Sequence, residues 1–165
     1  MPEPTDLALK VLAVHRHLTE AGLPHAIGGA VALGIYAEPR PTVDIDVNVF
    51  VAAEREPAVR EALAGLDPDG KYPVHLFFDE DELHGAMREA IREVPFAGTT
   101  IPLVAPEHLV VRKVLLDRAK DQPDLERLVD EVDPLDLDEV ERWLEKLGDA
   151  EAQAEFAALI AVRRR

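Results

Sequence analysis

Apolar residues recur along the chain with two periods, one typical of helices and the other of strands. The first helix is predicted from residue 6 to about Gly22, and Thr5 or Asp6 can cap its N-terminus. Its apolar residues lie three or four positions apart; they are Leu7, Val11, Val14 and Leu18. A short buried strand is predicted over 24–27, and a Gly-Gly pair separates it from a short apolar helix over 30–36.

The pattern then alternates strands with helices and ends in a helical tail. Further strands are predicted over 43–49, 72–80 and 100–104, of which YPVHLFFDE at 72–80 is typical of a central strand. Further helices are predicted over 54–65, 82–93 and 106–119, and a turn over 66–71. Three amphipathic helices follow over 125–165, broken near Asp133-Pro134 and at Gly148. The expected fold is α/β (α+β), a small mixed β-sheet flanked by helices with a helical C-terminal tail.

Two carboxylates lie within the apolar strand at 43–49. Asp44 and Asp46 are two residues apart, so a strand sends both side chains to one face, with Cα atoms about 7 Å apart. Two carboxylates at this distance repel one another unless a cation lies between them. Hard oxygen ligands suit Mg²⁺ that carries a phosphate substrate. The alternative is a solvated strand face, on which replacing either aspartate would leave ligand binding unchanged.

The Gly-Gly pair directly precedes a predicted helix. Residues without Cβ let backbone N–H groups approach phosphate oxygens, and the helix dipole favours negative charge at that end. Gly28 and Gly29 therefore indicate a phosphate-binding turn, although such a pair also occurs as a simple turn.

Composition narrows the class of protein. The 165 residues are 47% hydrophobic, which at this length predicts one domain with a sizeable core. The chain has no cysteine, which excludes disulfides, cysteine zinc sites and thiol catalysis. No apolar run reaches the roughly 18 residues that span a bilayer, and the N-terminus is acidic where a signal peptide would be basic. We therefore expect a cytoplasmic protein without a membrane partner.

The charge balance bears on the partner. The formal net charge is -15 at pH 7, whereas capture of a nucleic acid backbone requires clustered Lys and Arg. An extended nucleic acid is therefore disfavoured as a partner. The basic cluster at 163–165 is better explained as a solvated helix end that complements the helix dipole.

The Gly-Gly pair, a helix, R-x-T at Arg40 and Thr42, and D-x-D at Asp44 and Asp46 follow one another in this order. This succession resembles the nucleotidyltransferase fold of the DNA polymerase beta superfamily. The likeness is greatest to its minimal stand-alone bacterial members, including toxin-type proteins of toxin–antitoxin and abortive-infection systems. The resemblance covers residues 23–128. It implies that the glycines hold a nucleotide triphosphate and that both aspartates bind metal ions.

His75 stands where the resemblance implies a third carboxylate, which in that family binds metal and helps to deprotonate the attacking hydroxyl. Asp79 does not replace it, because four residues along a strand separate the two by about 13 Å. His75 is therefore a candidate replacement base or acceptor-positioning group, or the mark of a weakened activity. The structural alternative is a half-buried strand histidine without a catalytic role.

Three more residues become candidates through the resemblance. Arg40 lies between two prolines, where it can bind phosphate or pair with an acid. Lys113 lies within an apolar helix and is followed by Arg118, Lys120, Asp121 and Asp124, an R-x-K-D-x-x-D-like segment that related proteins share. The resemblance implies that Lys113 contacts the triphosphate and that Asp121 belongs to the site. The alternatives are an ion pair of Lys113 on its own helix and helix capping by Asp121.

Together these features predict a nucleotidyltransferase core over 1–128 and a helical extension over 129–165 packed on the same domain. The expected enzyme moves an NMP from an NTP to an acceptor hydroxyl and releases pyrophosphate, with Mg²⁺ as the metal and Mn²⁺ as an alternative. The acceptor is left open among a small molecule, a protein and a tRNA end, and a cognate protein partner is also implied. The predicted catalytic residues are Asp44, Asp46 and His75, of which the aspartates bind metal; the predicted nucleotide- or phosphate-binding residues are Gly28, Gly29, Arg40, Thr42, Lys113 and Asp121.

The competing hypothesis is a catalytically weakened or inactive protein of the same fold that binds a nucleotide or a partner protein. The replaced third carboxylate supports it. The intact D-x-D and Gly-Gly pairs favour the enzyme, since a charged pair on an otherwise packed strand has no evident use without metal and phosphate.

Overall fold

The computed structural model describes residues 3–66 and 70–164, so the turn predicted over 66–71 lies partly outside the described residues. The chain forms two compact units. Unit 1 comprises Met1–Val31 and Pro41–Val104, and unit 2 comprises Ala32–Arg40 and Ala105–Arg165. The predicted boundary at residue 128 stays a prediction.

Unit 1 holds the sheet and the helices that precede or connect its strands. In chain order its elements are α1 (Asp6–Glu20), β1 (His25–Ile27), the start of α2 (Gly29–Tyr36), β2 (Ile45–Val49), α3 (Glu56–Ala62), β3 (Val74–Phe77), α4 (Glu82–Glu89), β4 (Arg92–Phe96) and β5 (Thr99–Leu103). Thr5 caps α1 as predicted, because its hydroxyl accepts a hydrogen bond from the Ala8 N–H at 3.2 Å.

The five strands form one mixed sheet in the order β3-β2-β1-β5-β4. β2 lies antiparallel to β1 and parallel to β3, whereas β5 lies parallel to β1 and antiparallel to β4. The predicted mixed sheet flanked by helices is therefore confirmed. The prediction of a central strand over 72–80 is wrong, since β3 occupies one edge of the sheet formed by the described residues. Its apolar residues are only half-buried, so an apolar run was a poor guide to its position.

β4 and β5 form a hairpin whose first strand the sequence pattern does not predict. Phe96 pairs with Thr99, which leaves Ala97 and Gly98 in the turn. Both have positive φ, 44° and 86°, the combination that defines a type I′ turn. Asn-Gly is the usual sequence signal for a type I′ turn, and Ala97-Gly98 does not provide it. The predicted helix over 82–93 is therefore too long, because α4 ends at Glu89.

Alternation along β2 determines which face of that strand enters the core of unit 1. Ile45, Val47 and Val49 are fully buried, whereas Asp46 between them is only half-buried. Other apolar residues of unit 1 with no exposure are Val11, Val14, Leu18, Ala26, Ile27, Val59, Ile101, Leu103 and Val104. The packed face thus fixes the direction in which the carboxylates of this strand point.

Unit 2 is helical. After the end of α2 it contains α5 (Pro106–Leu116), α6 (Gln122–Glu131), α7 (Leu137–Leu147) and α8 (Ala150–Arg163). α5 contacts the other three, and α8 contacts α6 and α7. Apolar residues with no more than 2% exposure form the core; they are Ala32, Leu33, Val110, Val111, Leu125, Leu128, Val129, Val140, Leu144 and Phe156. The three predicted C-terminal helices are confirmed, with breaks at Asp133-Pro134 and Gly148.

Among the described residues, no helix combines the length and the apolar content that a transmembrane span requires.

Replacing Ala97 with Asn is expected to stabilise unit 1 by about 0.5–1 kcal/mol, because asparagine tolerates the left-handed conformation that alanine adopts there at a cost. The measurement is urea denaturation followed by far-UV circular dichroism. Ala64, also exposed but without a positive φ, provides the matched control. Equal stabilities for Ala97→Asn and Ala64→Asn would contradict the assignment of the turn.

Candidate active site

Asp44 and Asp46 project from the same side of β2, at its start. Asp44 directly precedes the strand and Asp46 is its second residue. Their side chains are 30% and 27% exposed, whereas Ile45 and Val47 beside them are fully buried. The structure therefore brings the two carboxylates together on a partly solvated face, as the period of two predicts.

β3 brings His75 to these carboxylates. In the parallel pairing of β2 with β3, Asp46 and His75 are register partners. Nδ1 of His75 lies 3.5 Å from Oδ1 of Asp46 and 3.7 Å from Oδ2 of Asp44. One ligand atom from each of the three residues lies within 4.8 Å of the others. His75 thus lies beside both aspartates, where the resemblance placed a third carboxylate.

This donor set fits a divalent cation. A cation at about 2.0–2.2 Å from each donor would bring neighbouring donors to roughly 3 Å from one another. The two separations from Nδ1 of His75, 3.5 and 3.7 Å, would need to shorten by roughly 0.5–0.7 Å, which rotations of partly exposed side chains allow. The His75 side chain is 54% exposed, so one side of the group is open to solvent.

The Gly-Gly pair lies directly against Asp46. The Gly28 N–H donates to the Asp46 carbonyl oxygen at 2.9 Å, which ties the turn to β2. Gly29 has a φ of 55°, and a Cβ added there would lie 2.3 Å from Oδ2 of Asp46. Both the backbone conformation and the lack of space therefore require glycine at 29. The first turn of α2 consequently starts beside the carboxylate, and the N–H groups of that turn have no partner within the helix.

Thr42 belongs to a local turn that precedes β2. Its hydroxyl donates to the Asp44 carbonyl oxygen at 3.2 Å and lies 3.4 Å from Oδ1 of the same residue. The Asp44 N–H donates back to the Thr42 hydroxyl at 3.4 Å. These bonds position the Asp44 carboxylate, and the predicted contact of Thr42 with a nucleotide stays a prediction.

In unit 2, the remaining predicted residues form a buried ion-pair cluster. Arg40 binds Asp124 with two parallel hydrogen bonds, Nε to Oδ1 at 2.7 Å and Nη2 to Oδ2 at 2.9 Å. Nζ of Lys113 lies 2.8 Å from Oδ2 of Asp124 and 3.1 Å from Oδ1 of Asp121. Arg118 completes the cluster through its Nε, 2.7 Å from Oδ2 of Asp121.

Opposing effects determine the charge of these two aspartates. Burial by itself raises the pKa of Asp121, but hydrogen bonds and positive charge from Arg118 and Lys113 outweigh it, so the pKa lies below its usual value. The pKa of Asp124 is lowered in the same way by Arg40 and Lys113 against the effect of burial. Both carboxylates are therefore ionised at neutral pH although they are at most 1% exposed.

These contacts bear on three predicted site residues. Asp124 joins Arg40 to Lys113, and Lys113 in turn joins Asp121, so each of the three already has a charged partner. Their predicted contacts with a nucleotide stay predictions. The contacts themselves favour a role in holding the helices of unit 2.

One polar group near the carboxylates was not predicted. Asn48 continues the period of Asp44 and Asp46 along β2 and is only 5% exposed. Its Oδ1 accepts a hydrogen bond at 3.2 Å from Nε2 of the buried His84, whose Nδ1 accepts one from the Glu80 N–H. The period of two could have indicated Asn48, whereas nothing local indicated its histidine partner.

Solved structures with nucleotidyltransferase folds resemble this chain along nearly its whole length. An antigenic nucleotidyltransferase-like protein from Paracoccidioides brasiliensis matches with a TM-score of 0.57 and 14% identity, over 97% of this chain and 95% of that chain. The crystal structure of ANT(2'')-Ia in complex with adenylyl-2''-tobramycin matches with a TM-score of 0.52 and 17% identity, over 95% and 98%. A solution structure of the antibiotic-resistance factor ANT(2'')-Ia matches with a TM-score of 0.50 and 20% identity, over 94% of each chain.

These matches confirm that the chain has the nucleotidyltransferase fold, as the resemblance implied. At 14–20% identity these matches establish the fold and do not identify the reaction. Neither a model of a known protein family nor the sequence of a curated protein matches the chain.

Replacing Gly29 with Ala is expected to destabilise unit 1 for two reasons. The left-handed backbone costs about 1–2 kcal/mol for a residue with Cβ, and the clash with Asp46 adds roughly 1–3 kcal/mol. Gly22→Ala is the matched control, because Gly22 has a φ of 68° and no atom within 4 Å of an added Cβ. Urea denaturation measures both variants, and equal losses would contradict the close approach of Gly29 to Asp46.

Replacing Asp124 with Asn is expected to cost about 3–5 kcal/mol at pH 7, because Arg40 and Lys113 lose the charge that compensates them. The difference from the unmodified protein is expected to shrink as the pH falls below about 4. The wild-type Asp124 has a lowered folded pKa, so its contribution is present above the unfolded pKa and lost as the pH falls through the folded value.

Urea denaturation followed by the fluorescence of Trp143, the only tryptophan, reports this change from within unit 2. The control is Glu126→Gln. Glu126 lies on the same helix as Asp124, and its ion pair with Arg163 is more exposed, so the loss of this pair is expected to cost under about 1 kcal/mol. A loss in Asp124→Asn that equals the control would show that the cluster contributes little. A loss that stays constant from pH 7 to pH 3 would show that it does not depend on the ionisation of Asp124.

Proposed function

We propose that the chain is a metal-dependent nucleotidyltransferase, which moves a nucleoside monophosphate from an NTP to an acceptor hydroxyl and releases pyrophosphate. One observation carries the proposal. In a chain with the nucleotidyltransferase fold, donor atoms of Asp44, Asp46 and His75 meet within 4.8 Å, and Gly29 lies directly against Asp46. Such a group of acids at a glycine-rich helix start suits a cation together with phosphate.

The two aspartates would hold the divalent cation, and His75 lies beside them. When bound, the cation would neutralise charge that develops on the triphosphate in the transition state. The acceptor oxygen forms a bond to the α-phosphorus while the bond from that phosphorus to the bridging oxygen of the leaving pyrophosphate breaks. The proton of the hydroxyl passes to a base, for which the candidates on this face are Asp44, Asp46 and His75.

The start of α2 would seat the phosphates. Its first N–H groups have no partner within the helix, and the helix dipole favours an anion there. Because the Gly28 N–H already donates to the Asp46 carbonyl oxygen, the N–H groups that would bind phosphate belong to the residues that follow it. The small size of Gly29 lets this turn approach the carboxylate, so phosphate and cation would be held side by side.

For Arg40, Lys113 and Asp121 we propose a structural role first. Each is paired within unit 2, and the carboxylates that bind the two cations are buried. A contact of these residues with the triphosphate remains part of the prediction from the resemblance.

The acceptor carries the hydroxyl that is modified. The neighbour ANT(2'')-Ia is seen with an adenylylated small molecule, adenylyl-2''-tobramycin, which supports a small molecule as one acceptor class. A protein side chain and a tRNA end are the others, and the net charge of -15 works against an extended nucleic acid. A toxin–antitoxin setting, a cognate protein partner and a cytoplasmic location stay predictions.

The second candidate function is nucleotide or partner binding without catalysis. The observation that favours it is His75 in the place of the third carboxylate. This candidate and the enzyme differ in turnover: both can bind an NTP, whereas only the enzyme releases pyrophosphate when an acceptor is supplied.

Isothermal titration of each NTP into the purified protein, with Mg²⁺, with Mn²⁺ and with chelator, tests the proposal without knowledge of the acceptor. At least one NTP is expected to bind only when metal is present. Asp44→Asn/Asp46→Asn is expected to weaken that binding at least about tenfold, since it removes both proposed metal ligands.

The matched control is Asp79→Asn/Glu80→Gln, which removes two exposed carboxylates after β3 and changes the net charge by the same amount. It is expected to bind like the unmodified protein. Failure of every NTP to bind, or an equal loss in the control, would overturn the donor site and with it the enzyme.

A further inference from the structure

The donor set of the candidate site contains one nitrogen among oxygens. Asp44 and Asp46 offer carboxylate oxygens, and His75 offers Nδ1 at 3.7 and 3.5 Å from them. The register of β3 on β2 fixes this placement, because Asp46 and His75 are paired across the two strands. The nitrogen therefore belongs to the same group of donors as the two carboxylates.

Oxygen and nitrogen donors select different metals. Mg²⁺ takes oxygen ligands in nearly ideal octahedral geometry and binds imidazole poorly. Imidazole suits Fe²⁺, Co²⁺, Ni²⁺ and Zn²⁺, and affinities of mixed sites rise from Mn²⁺ towards Cu²⁺ in the Irving–Williams order. A site with one imidazole and two carboxylates therefore discriminates against Mg²⁺ more strongly than a site of carboxylates alone.

We propose that His75 is a metal ligand and that it makes this site selective for a first-row transition-metal dication over Mg²⁺. The proposal rests on the proposed function, which makes Asp44 and Asp46 metal ligands, and it adds the identity of the third ligand and of the metal class. The carboxylates are about 30% exposed or less and His75 is 54% exposed, so the open side leaves positions for water or phosphate oxygens.

A competing explanation of the same geometry is an imidazolium that pairs with both carboxylates. Such an ion pair would occupy the position of the cation and would oppose metal binding at this place. The two explanations predict opposite effects of removing the histidine. Without the ring, a transition metal would bind less tightly if His75 is a ligand, and more tightly if His75 is a competing cation.

The test uses the metal alone, without nucleotide. Isothermal titration gives the affinities of Mg²⁺, Mn²⁺, Co²⁺ and Zn²⁺ for the unmodified protein and for His75→Asp, and the visible absorption of Co²⁺ reports its ligands. Co²⁺ binds most oxygen sites more tightly than Mg²⁺, so the deciding quantity is the ratio of the two affinities. We expect this ratio to fall at least about tenfold in His75→Asp, with a changed Co²⁺ spectrum.

His75→Asn provides a second variant that keeps a polar side chain of similar size and lacks the carboxylate, and it is expected to bind Co²⁺ at least about tenfold less tightly. Circular dichroism verifies that both variants fold. The control is His15→Ala, because Nδ1 of His15 lies 2.9 Å from Nε2 of His25 and this imidazole pair could bind transition metals by itself. His15→Ala is expected to leave the Co²⁺ affinity unchanged.

The proposal is overturned if Co²⁺ does not bind, if the ratio is the same in His75→Asp, or if His15→Ala removes the binding. Tighter Co²⁺ binding by His75→Asn would establish the imidazolium instead. Since no nucleotide is present, these outcomes are separate from those of the NTP titration. A protein that binds every NTP equally well with Mg²⁺ and with Mn²⁺ would keep the proposed function and lose only the metal selectivity.

Discussion

The close approach of Gly29 to Asp46 is the constraint on which the candidate site depends. A Cβ at 29 would lie 2.3 Å from a carboxylate oxygen, so only glycine lets α2 start beside β2. The hydrogen bond from Gly28 to the Asp46 carbonyl holds the turn in place. Because the buried residues of β2 fix the direction of its carboxylates, the helix start and the acidic face occupy one corner of unit 1.

Unit 2 contains buried charged groups. Asp121 and Asp124 are at most 1% exposed, and such carboxylates are costly unless cations and hydrogen bonds compensate them. Arg40, Lys113 and Arg118 supply both, and their effect on the pKa of each carboxyl exceeds that of burial. Removal of one partner leaves the other buried charges of the cluster uncompensated. We therefore expect single substitutions in the cluster to be destabilising.

Local patterns predicted most elements, and non-local pairing explains the errors. The cap at Thr5, the alternation around Asp46 and the breaks between the C-terminal helices all follow from residues near one another in the sequence. The edge position of β3 depends on which strand pairs with it, and the β4–β5 hairpin lacks its usual Asn-Gly signal. The ion pairs of Lys113 with Asp121 and Asp124 similarly depend on the conformation of residues 117–121, which connect α5 to α6.

His75 could be located from the sequence only because a resemblance indicated what should stand there, and its chemistry follows from its neighbours. A third carboxylate would give the group a formal charge of -3, whereas two carboxylates and a neutral imidazole give -2, which one dication balances. The nearby phosphates would then meet less negative charge from the protein than an all-carboxylate site presents. The substitution therefore does not by itself imply a lost site: in the proposed metal centre it would exchange a charged ligand for a neutral one, which would lower the repulsion of a triphosphate and narrow the choice of metal.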